Sequence, residues 1–225
     1  MPTTTGQNIV DRARIKANDE ATVKRWTDAE SLMAINDGQV AVVQLMPSAY
    51  TLQATPTAVA GSTRQTLTGL GLTDGLTIVD IPRNYAANGT TPGRAMTKRD
   101  RVWFDEHRPR WHSEVSAEAQ HWMQDDRDPK AVYLYPAKSA GKLEVIYSAV
   151  PAALANLAAT ITLDDVYANA LQWFLLFSWY SKDATNNRGQ QLSATYYALF
   201  ERELGIRSGA LKANAVAGDA KAAGA

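Results

Sequence analysis

The sequence contains no cysteine among its 225 residues. No disulfide framework can form, and the chain has neither a thiolate nucleophile nor a thiolate ligand for a metal. This composition is typical of a protein kept in a reducing compartment, although a protein indifferent to redox conditions would share it. Chemistry that depends on a cysteine thiol is therefore excluded.

The chain also lacks net charge and long hydrophobic runs. Its 23 basic residues balance 23 acidic ones, without the clustered basic excess of a dedicated nucleic-acid binder. The longest apolar segment, Leu171–Tyr180, is far short of the ~20 residues needed to cross a bilayer. The N-terminus MPTTTGQN does not resemble a signal peptide. We expect a soluble protein, made in the cytoplasm, that does not associate with membranes.

A search for catalytic, cofactor-binding and metal-binding patterns finds no predicted site. The glycine-rich stretch Gly69–Gly75 has the wrong spacing for a dinucleotide fingerprint, and no Walker-type or Gly-x-Ser-x-Gly motif occurs. Asp125, Asp126 and Asp128 are best interpreted as a solvated turn between two strands. The three histidines lack the spacing of a helical zinc site and are interpreted as surface or capping residues: His107, His112 and His121. We therefore predict no enzymatic activity, no cofactor and no metal.

Helical and strand-like patterns follow one another in blocks, which predicts an α+β fold. We expect it to be mainly helical, with about four helices, an inserted small β-rich domain and a flexible C-terminal tail. The last helix is predicted to end at Gly205, in the C′ position. The predicted division assigns residues 1–49 and 152–205 to a helical domain, 50–151 to the inserted domain and 206–225 to the tail.

The middle segment carries the strand patterns. Ala131–Pro136 and Lys142–Val150 are rich in Val, Ile and Tyr, and the residues between them predict a hairpin loop. Leu76–Ile81 and Ala119–Gln124 are predicted as further strands.

One pair of helices carries more aromatic residues than a single buried face requires. The segment Leu171–Tyr180 is apolar nearly all round, and such a helix must be covered on more than one side. Either it is the central core helix of its own chain, or a neighbouring subunit supplies part of the cover, because aromatic residues are favoured at interface centres. The interface candidates on this helix and the next are Trp173, Phe174, Phe177, Trp179, Tyr180, Tyr196, Tyr197 and Phe200.

Three groups of stretches, near both ends and in the middle of the chain, are informative when they are taken together. They are RWTDAESLMAINDGQ near the N-terminus, AVYLYPA followed by LEVIYSAVP, and TLDDVYANALQWFLLFSWYSKDATN followed by YYALFERELG. Together they resemble the head-to-tail adaptor, or connector, proteins of short-tailed bacteriophages. The resemblance spans roughly residues 9–205, but it leaves 55–97 and the residues after 205 unmatched.

The resemblance implies a structural virion protein without enzymatic activity, located in the neck or tail. It implies a homo-oligomeric ring, usually a dodecamer, that joins the capsid portal protein to tail or nozzle proteins and lets DNA pass during ejection without specific binding. The helical part is expected to contact neighbouring subunits and the portal, and the β part to contact tail components. Residues 206–225 either become ordered on docking with the portal or stay solvated.

Two other functions stay open at this point. One is another neck or tail-completion ring protein, which would bind at a different level of the virion. The other is a hydrolase whose site is assembled from scattered residues, which the empty motif search disfavours.

The segment from Thr27 to Pro47 has two interpretations. Thr27 and Glu30 form a capping box, which marks a helix start, but the Asn-Asp-Gly-Gln cluster at 36–39 is typical of a turn. The resemblance favours one continuous helix over a hairpin. Gly38 then costs about 1 kcal/mol relative to alanine.

A close contact between helices would offset the cost of that glycine. We expect a bulky neighbour such as Trp173 or Phe177 to pack over Gly38, while Asn36 and Gln39 bond across helices. Asn36, Gly38 and Gln39 are thus the predicted helix-packing positions.

Overall fold

The computed structural model describes residues 2–182 and 187–222, with side chains described as far as Gly205. The described residues contain both helices and small sheets, which confirms the α+β class. α-Helix accounts for 40% of the chain, so the description mainly helical is not supported. The described residues form five α-helices: α1 (Gly6–Ala17), α2 (Asp28–Leu45), α3 (Arg101–His107), α4 (Ala168–Lys182) and α5 (Asn187–Ala222).

The strands are short and lie between α2 and α4 in the sequence. They are β1 (Thr51–Ala54), β2 (Arg64–Thr66), β3 (Gly75–Asp80), β4 (Arg83–Tyr85), β5 (Pro92–Ala95), β6 (Thr97–Lys98), β7 (Val115–Ser116), β8 (His121–Gln124), β9 (Ala131–Tyr135), β10 (Ala137–Lys138), β11 (Lys142–Leu143) and β12 (Val145–Ala149).

The chain forms two compact units. One comprises Met1–Ala49 together with Pro151–Ala225, and the other comprises Tyr50–Val150. Compactness alone does not make a segment an independently folding domain, so the inserted domain over 50–151 stays a prediction.

Local capping signals determine where the first two helices begin. The Thr5 side chain accepts a hydrogen bond from the Asn8 amide at the start of α1. At the start of α2, the Glu30 amide donates to Thr27 Oγ1 and the Thr27 amide donates to Glu30 Oε2, which forms the predicted capping box. α2 then continues without interruption to Leu45. The hairpin interpretation of the 36–39 cluster is therefore wrong.

Helix α4 lies at the centre of its unit and contacts α1, α2 and α5. Leu171, Leu175 and Leu176 on α4 have no exposed surface. Each such leucine contributes about 1.5–3 kcal/mol of hydrophobic free energy relative to an exposed one. α4 is thus a core helix of its own chain.

The structure differs from the sequence prediction at two helices. The backbone of α5 runs on through Gly205 to Ala222 instead of ending at Gly205. The alanine-rich sequence after Gly205 has high helix propensity, which offsets the cost of one glycine. α3 was not predicted; Asp100 caps it by accepting a hydrogen bond from the Val102 amide, and it ends just before Pro109.

The predicted hairpin between 131–136 and 142–150 is also wrong. β9 lies in a four-stranded sheet of order β2-β9-β8-β6, whereas β12 lies in a three-stranded sheet of order β1-β12-β3. Pro136 has no amide proton with which to continue β9, and the chain beyond it divides into β10 and β11, which pair elsewhere. β10 pairs with β7, and β11 lies at the edge of the sheet β11-β4-β5.

A buried polar network ties this unit together around Asn84. Its Nδ2 donates to the Arg94 and Ala119 carbonyl oxygens, at 2.9 and 2.7 Å. Its Oδ1 accepts from the Ala119 amide at 3.0 Å and from Lys138 Nζ at 3.1 Å. Both polar atoms of this side-chain amide are bonded, and the network joins the sheet β11-β4-β5 to Ala119 and to Lys138 of β10.

Gly38 of α2 lies directly against side chains of α4. A Cβ atom at this position would lie 3.0 Å from Phe174 Cδ1 and 3.2 Å from Leu171 Cδ2. The structure therefore places Phe174 and Leu171 over the glycine, and not Trp173 or Phe177 as expected. The glycine lets the two helices approach, which offsets its poor helix propensity.

The two amide side chains beside Gly38 bind the segment that precedes α4 and not a neighbouring helix. Asn36 accepts a hydrogen bond from the Leu154 amide at 2.8 Å and donates to its carbonyl oxygen at 3.2 Å. Gln39 Oε1 accepts from the Thr162 amide at 2.7 Å. The expectation that Asn36 and Gln39 bond across helices is thus corrected, because their partners lie in irregular chain.

We predict that Gly38→Leu lowers the free energy of unfolding by about 1–3 kcal/mol, because the added atoms overfill the contact with Phe174 and Leu171. The measurement is urea unfolding followed by helical circular dichroism. Ala29→Leu, at an exposed position of the same helix, is the matched control and stays within about 0.5 kcal/mol of the wild type. Equal stability of the two variants would contradict the close approach.

Candidate subunit interface

The aromatic residues of α4 and α5 form two rows along the seam between these helices. In the first row, Tyr196 stacks against Trp173 with centroids 6.0 Å apart and lies 5.5 Å from Tyr180. Lys16 Nζ of α1 lies 3.7 Å from the centroid of Trp173, a cation–π contact that covers the end of the row. Burial lowers the pKa of Lys16 below its ordinary value. The first row thus joins α1, α4 and α5.

The second row consists of four rings that contact one another in sequence. Phe174 meets Phe200 at 5.2 Å and Phe177 at 5.5 Å, both edge to face. Tyr197 lies 5.0 Å from Phe177 and 6.0 Å from Phe200. Edge-to-face pairs contribute about 0.5–1.5 kcal/mol each beyond their buried area. Because Phe174 also covers Gly38, this row connects α2, α4 and α5.

Trp26 also belongs to this site, although the sequence did not predict its packing against α4. Its ring stacks on Trp179 at 4.9 Å with an interplanar angle of 4°, and its Nε1 donates to the Trp179 carbonyl oxygen at 3.1 Å. The position of Trp26 directly before the helix cap Thr27 is a sequence signal for local packing. Its partner Trp179, more than 150 residues away, cannot be predicted from that position.

The eight interface candidates differ in how much surface remains for a partner. Trp179 and Phe200 are 2% and 0% exposed and belong to the core of their own unit. Tyr197 is 36% exposed. The five other candidates are half-buried: Trp173, Phe174, Phe177, Tyr180 and Tyr196.

Two outward helix faces carry almost no charge. On α2, Met33 and Leu45 are 60% and 54% exposed, Val40 and Ala41 are half-buried, and Asp37 is the charged residue among them. On α5, the stretch 189–200 contains no charged residue. Solvent-facing helix surfaces are ordinarily charged, so these faces are suited to contact with another protein. The α2 face was missed because apolar residues in a helix are first assigned to the interior.

The three histidines pair with aromatic rings and hydroxyl groups. His107 stacks on Trp103 at 4.8 Å, and His112 stacks on Trp111 at 3.6 Å. His121 Nδ1 lies 2.6 Å from Thr97 Oγ1. Burial, reinforced by the charges of Arg99 and Arg94, lowers the pKa of His121 below its ordinary value. His107 and His112 are exposed, as predicted for surface residues, whereas His121 is half-buried and packs within its unit.

The acidic cluster at 125–128 is engaged within its own unit. Arg64 forms ion pairs with Asp128 at 2.7 Å and with Asp125 at 3.7 Å. In the part of the chain that the structure describes, no three acidic or histidine side chains are grouped to hold a metal ion. Across the same residues, no helix has the length and apolar character needed to cross a membrane.

We predict different effects from truncating two contacting rings of the second row. Phe200→Ala lowers the free energy of unfolding by about 3–5 kcal/mol, because it removes a ring without exposed surface. Tyr197→Ala lowers it by about 1 kcal/mol, because that ring is partly exposed already. Urea unfolding of both variants measures the difference. A loss for Tyr197→Ala as large as that for Phe200→Ala would show that Tyr197 is a core residue.

Comparison with known proteins places this chain in a family. The sequence profile of a family described as SU10 adaptor protein matches residues 4–221, which include both compact units. A comparison with curated proteins finds no significant match. The family is a structural adaptor family of bacteriophages, which agrees with the resemblance to a phage adaptor and makes the chain a virion component. Since the match covers nearly the whole sequence, the chain belongs to the SU10 adaptor protein family.

Proposed function

We propose that this protein forms a homo-oligomeric ring, a dodecamer, that connects the capsid portal to the tail of a short-tailed bacteriophage. DNA passes through the lumen during ejection, and the protein has no enzymatic activity. The observation that carries this proposal is the family match over residues 4–221. Because the match includes both compact units, both belong to the adaptor function and neither is an unrelated appendage.

The two uncharged helix faces support contact between copies of the chain. In a cyclic ring every subunit presents one surface to the neighbour on one side and a different surface to the neighbour on the other. The outward face of α2 and the outward face of α5 are two different surfaces of this kind. Tyr197 extends the α5 face with an exposed aromatic ring, a residue type enriched at interfaces.

The charge balance supports passage of DNA without specific binding. Equal numbers of acidic and basic residues give the chain a net charge of zero. A ring with a strongly basic lumen would retain DNA through its phosphates. A neutral subunit is compatible with rapid ejection.

We also propose a division of contacts along the chain. Residues 1–49 and 152–205 contact neighbouring subunits and the portal, and the inserted domain at 50–151 contacts tail or nozzle proteins. The segment 206–225 docks with the portal. The helical backbone of α5 as far as Ala222 gives that segment a conformation suited to docking.

Docking of the C-terminal segment predicts a change in hydrogen exchange. Amides beyond Arg207 gain protection in the complex with the portal relative to the free protein, because the docked helix exchanges more slowly. The measurement is amide exchange by mass spectrometry on both samples. Unchanged exchange beyond Arg207, with protection gained elsewhere, would assign portal contact to another surface.

The ring itself predicts the outcome of an assembly experiment. Purified protein mixed with the portal ring of the same phage should form a particle heavier than the portal by twelve copies of the 24.5 kDa chain. Mass measurement and negative-stain images detect the added layer. Met33→Glu, which places a charge on the α2 face, should reduce the number of bound copies, whereas Lys130→Glu in the other unit should not.

Two results would contradict this function. A protein that never joins the portal, and instead caps isolated tail tubes, would be a tail-completion ring protein. A protein that binds the portal as single copies without closing a ring would not be a connector.

A further inference from the structure

The corner between β6 and α3 contains two adjoining cavities that the proposed ring does not use. Their volumes are about 450 and 600 Å³, and they share Arg99 and Asp100 in their walls. Trp103 and His121 line the first cavity, and Lys98 lines the second. Together they form one groove, which we call the α3 groove.

Backbone pairing holds the walls of this groove in place. Thr97 and Lys98 of β6 pair in parallel with His121 and Trp122 of β8. The Arg99 amide extends this pairing by donating to the Trp122 carbonyl oxygen at 2.9 Å. Asp100 then caps α3, so the chain turns sharply between Arg99 and Trp103. The groove is therefore formed by ordered backbone.

Three cations line the groove; Arg101 pairs with Asp105, whereas Lys98 and Arg99 have no carboxylate partner within the described chain. Of the described residues of this unit, Arg64, Arg83, Arg101 and Arg108 all lie within ion-pairing distance of an acidic side chain. No described carboxylate pairs with the side chains of Arg94, Lys98 or Arg99.

These unpaired cations lie in one neighbourhood. Arg94 and Arg99 both act on the charge of His121, and Lys98 Nζ lies 4.9 Å from the centroid of Trp122, the residue next to His121. Clustered cations repel one another and attract an anionic group.

Trp103 provides an apolar contact surface beside these cations. It is 49% exposed, although one face stacks on His107 at 4.8 Å and its neighbour Phe104 meets it edge to face at 5.0 Å. A ring held in this way loses little conformational entropy when a partner covers it. Tryptophan and arginine are the residue types most enriched among interface hot spots.

We propose that the α3 groove binds an acidic segment of a protein partner, with an apolar side chain against Trp103 and carboxylates at Arg99 and Lys98. A DNA duplex fits the groove less well. Lys98 and Arg99 are the unpaired cations in its walls, which also contain Asp100 and Asp126, and two such charges are few for a duplex-binding surface. The proposal concerns residues of Tyr50–Val150 alone and holds whether or not the chain forms a ring.

The test uses two peptides that differ in charge alone: acetyl-Glu-Leu-Phe-Glu-amide and acetyl-Gln-Leu-Phe-Gln-amide. Each is titrated into the full-length protein while the indole N–H resonance of Trp103, assigned with Trp103→Phe, is followed by NMR. The acidic peptide should shift this resonance saturably and bind at least about tenfold more tightly than its glutamine counterpart.

Charge-removing variants identify the cation that binds the acidic peptide. Arg99→Gln should weaken binding of the acidic peptide about fivefold or more, since it removes a charge shared by both cavities. Lys130→Gln removes an exposed charge of the same unit that lies outside the groove, and it should leave binding unchanged. Unchanged indole resonances of the other tryptophans show that each variant is folded.

Three outcomes overturn the proposal. They are equal binding of the two peptides, no shift of the Trp103 resonance, and a larger, salt-sensitive shift with a short DNA duplex than with the acidic peptide. The last outcome would assign the groove to nucleic acid. None of them depends on ring assembly, so failure here is distinguishable from failure of the adaptor function.

Discussion

The helical unit depends on the contact between Gly38 of α2 and the side chains of Phe174 and Leu171 on α4. The absence of a Cβ atom at Gly38 lets the two helices approach, and Phe174 fills the space that results. Phe174 in turn meets Phe200 of α5 at 5.2 Å. One glycine thus brings three helices to a common point, and any larger side chain there must displace a ring that two other helices also contact.

The aromatic residues of α4 and α5 fall into a buried group and a partly exposed group. The rings of Trp179 and Phe200 are buried in the core of the unit. The other rings of the two rows, including Phe174, keep accessible surface. The helical unit thus combines a packed interior with apolar exterior faces, a combination that suits the ring that we propose. The β-containing unit has a different character, with unpaired cations around an exposed tryptophan.

Features determined by neighbouring residues could be predicted from the sequence. The capping box at Thr27 and Glu30 predicts the start of α2. A glycine inside a helix costs free energy, which predicts that a bulky side chain packs against Gly38. The identity of its neighbours could not be predicted, because the rotation of α4 about its axis depends on packing against three other helices. Phe174 and not Trp173 faces α2 for this reason.

Features determined by distant pairing were mispredicted. β12 pairs with β1, so that Thr51 faces Ser148, and nothing in the local pattern of β12 distinguishes this partner from the nearer β9. The stacking of Trp26 on Trp179 joins opposite ends of the sequence in the same way. The partial burial of His121 could not be predicted either, because the rings of Phe104 and Tyr135 that it contacts lie on other elements.

The measurement that tests the central claim most directly is the NMR chemical shift of the Gly38 α-protons. A phenylalanine ring in contact with Gly38 shifts them away from ordinary helical glycine values, and nuclear Overhauser effects connect them to the Phe174 ring and the Leu171 methyl groups. The shift should disappear in Phe174→Leu. Ordinary helical shifts in the wild-type protein, without these effects, would contradict the helix crossing on which the account rests.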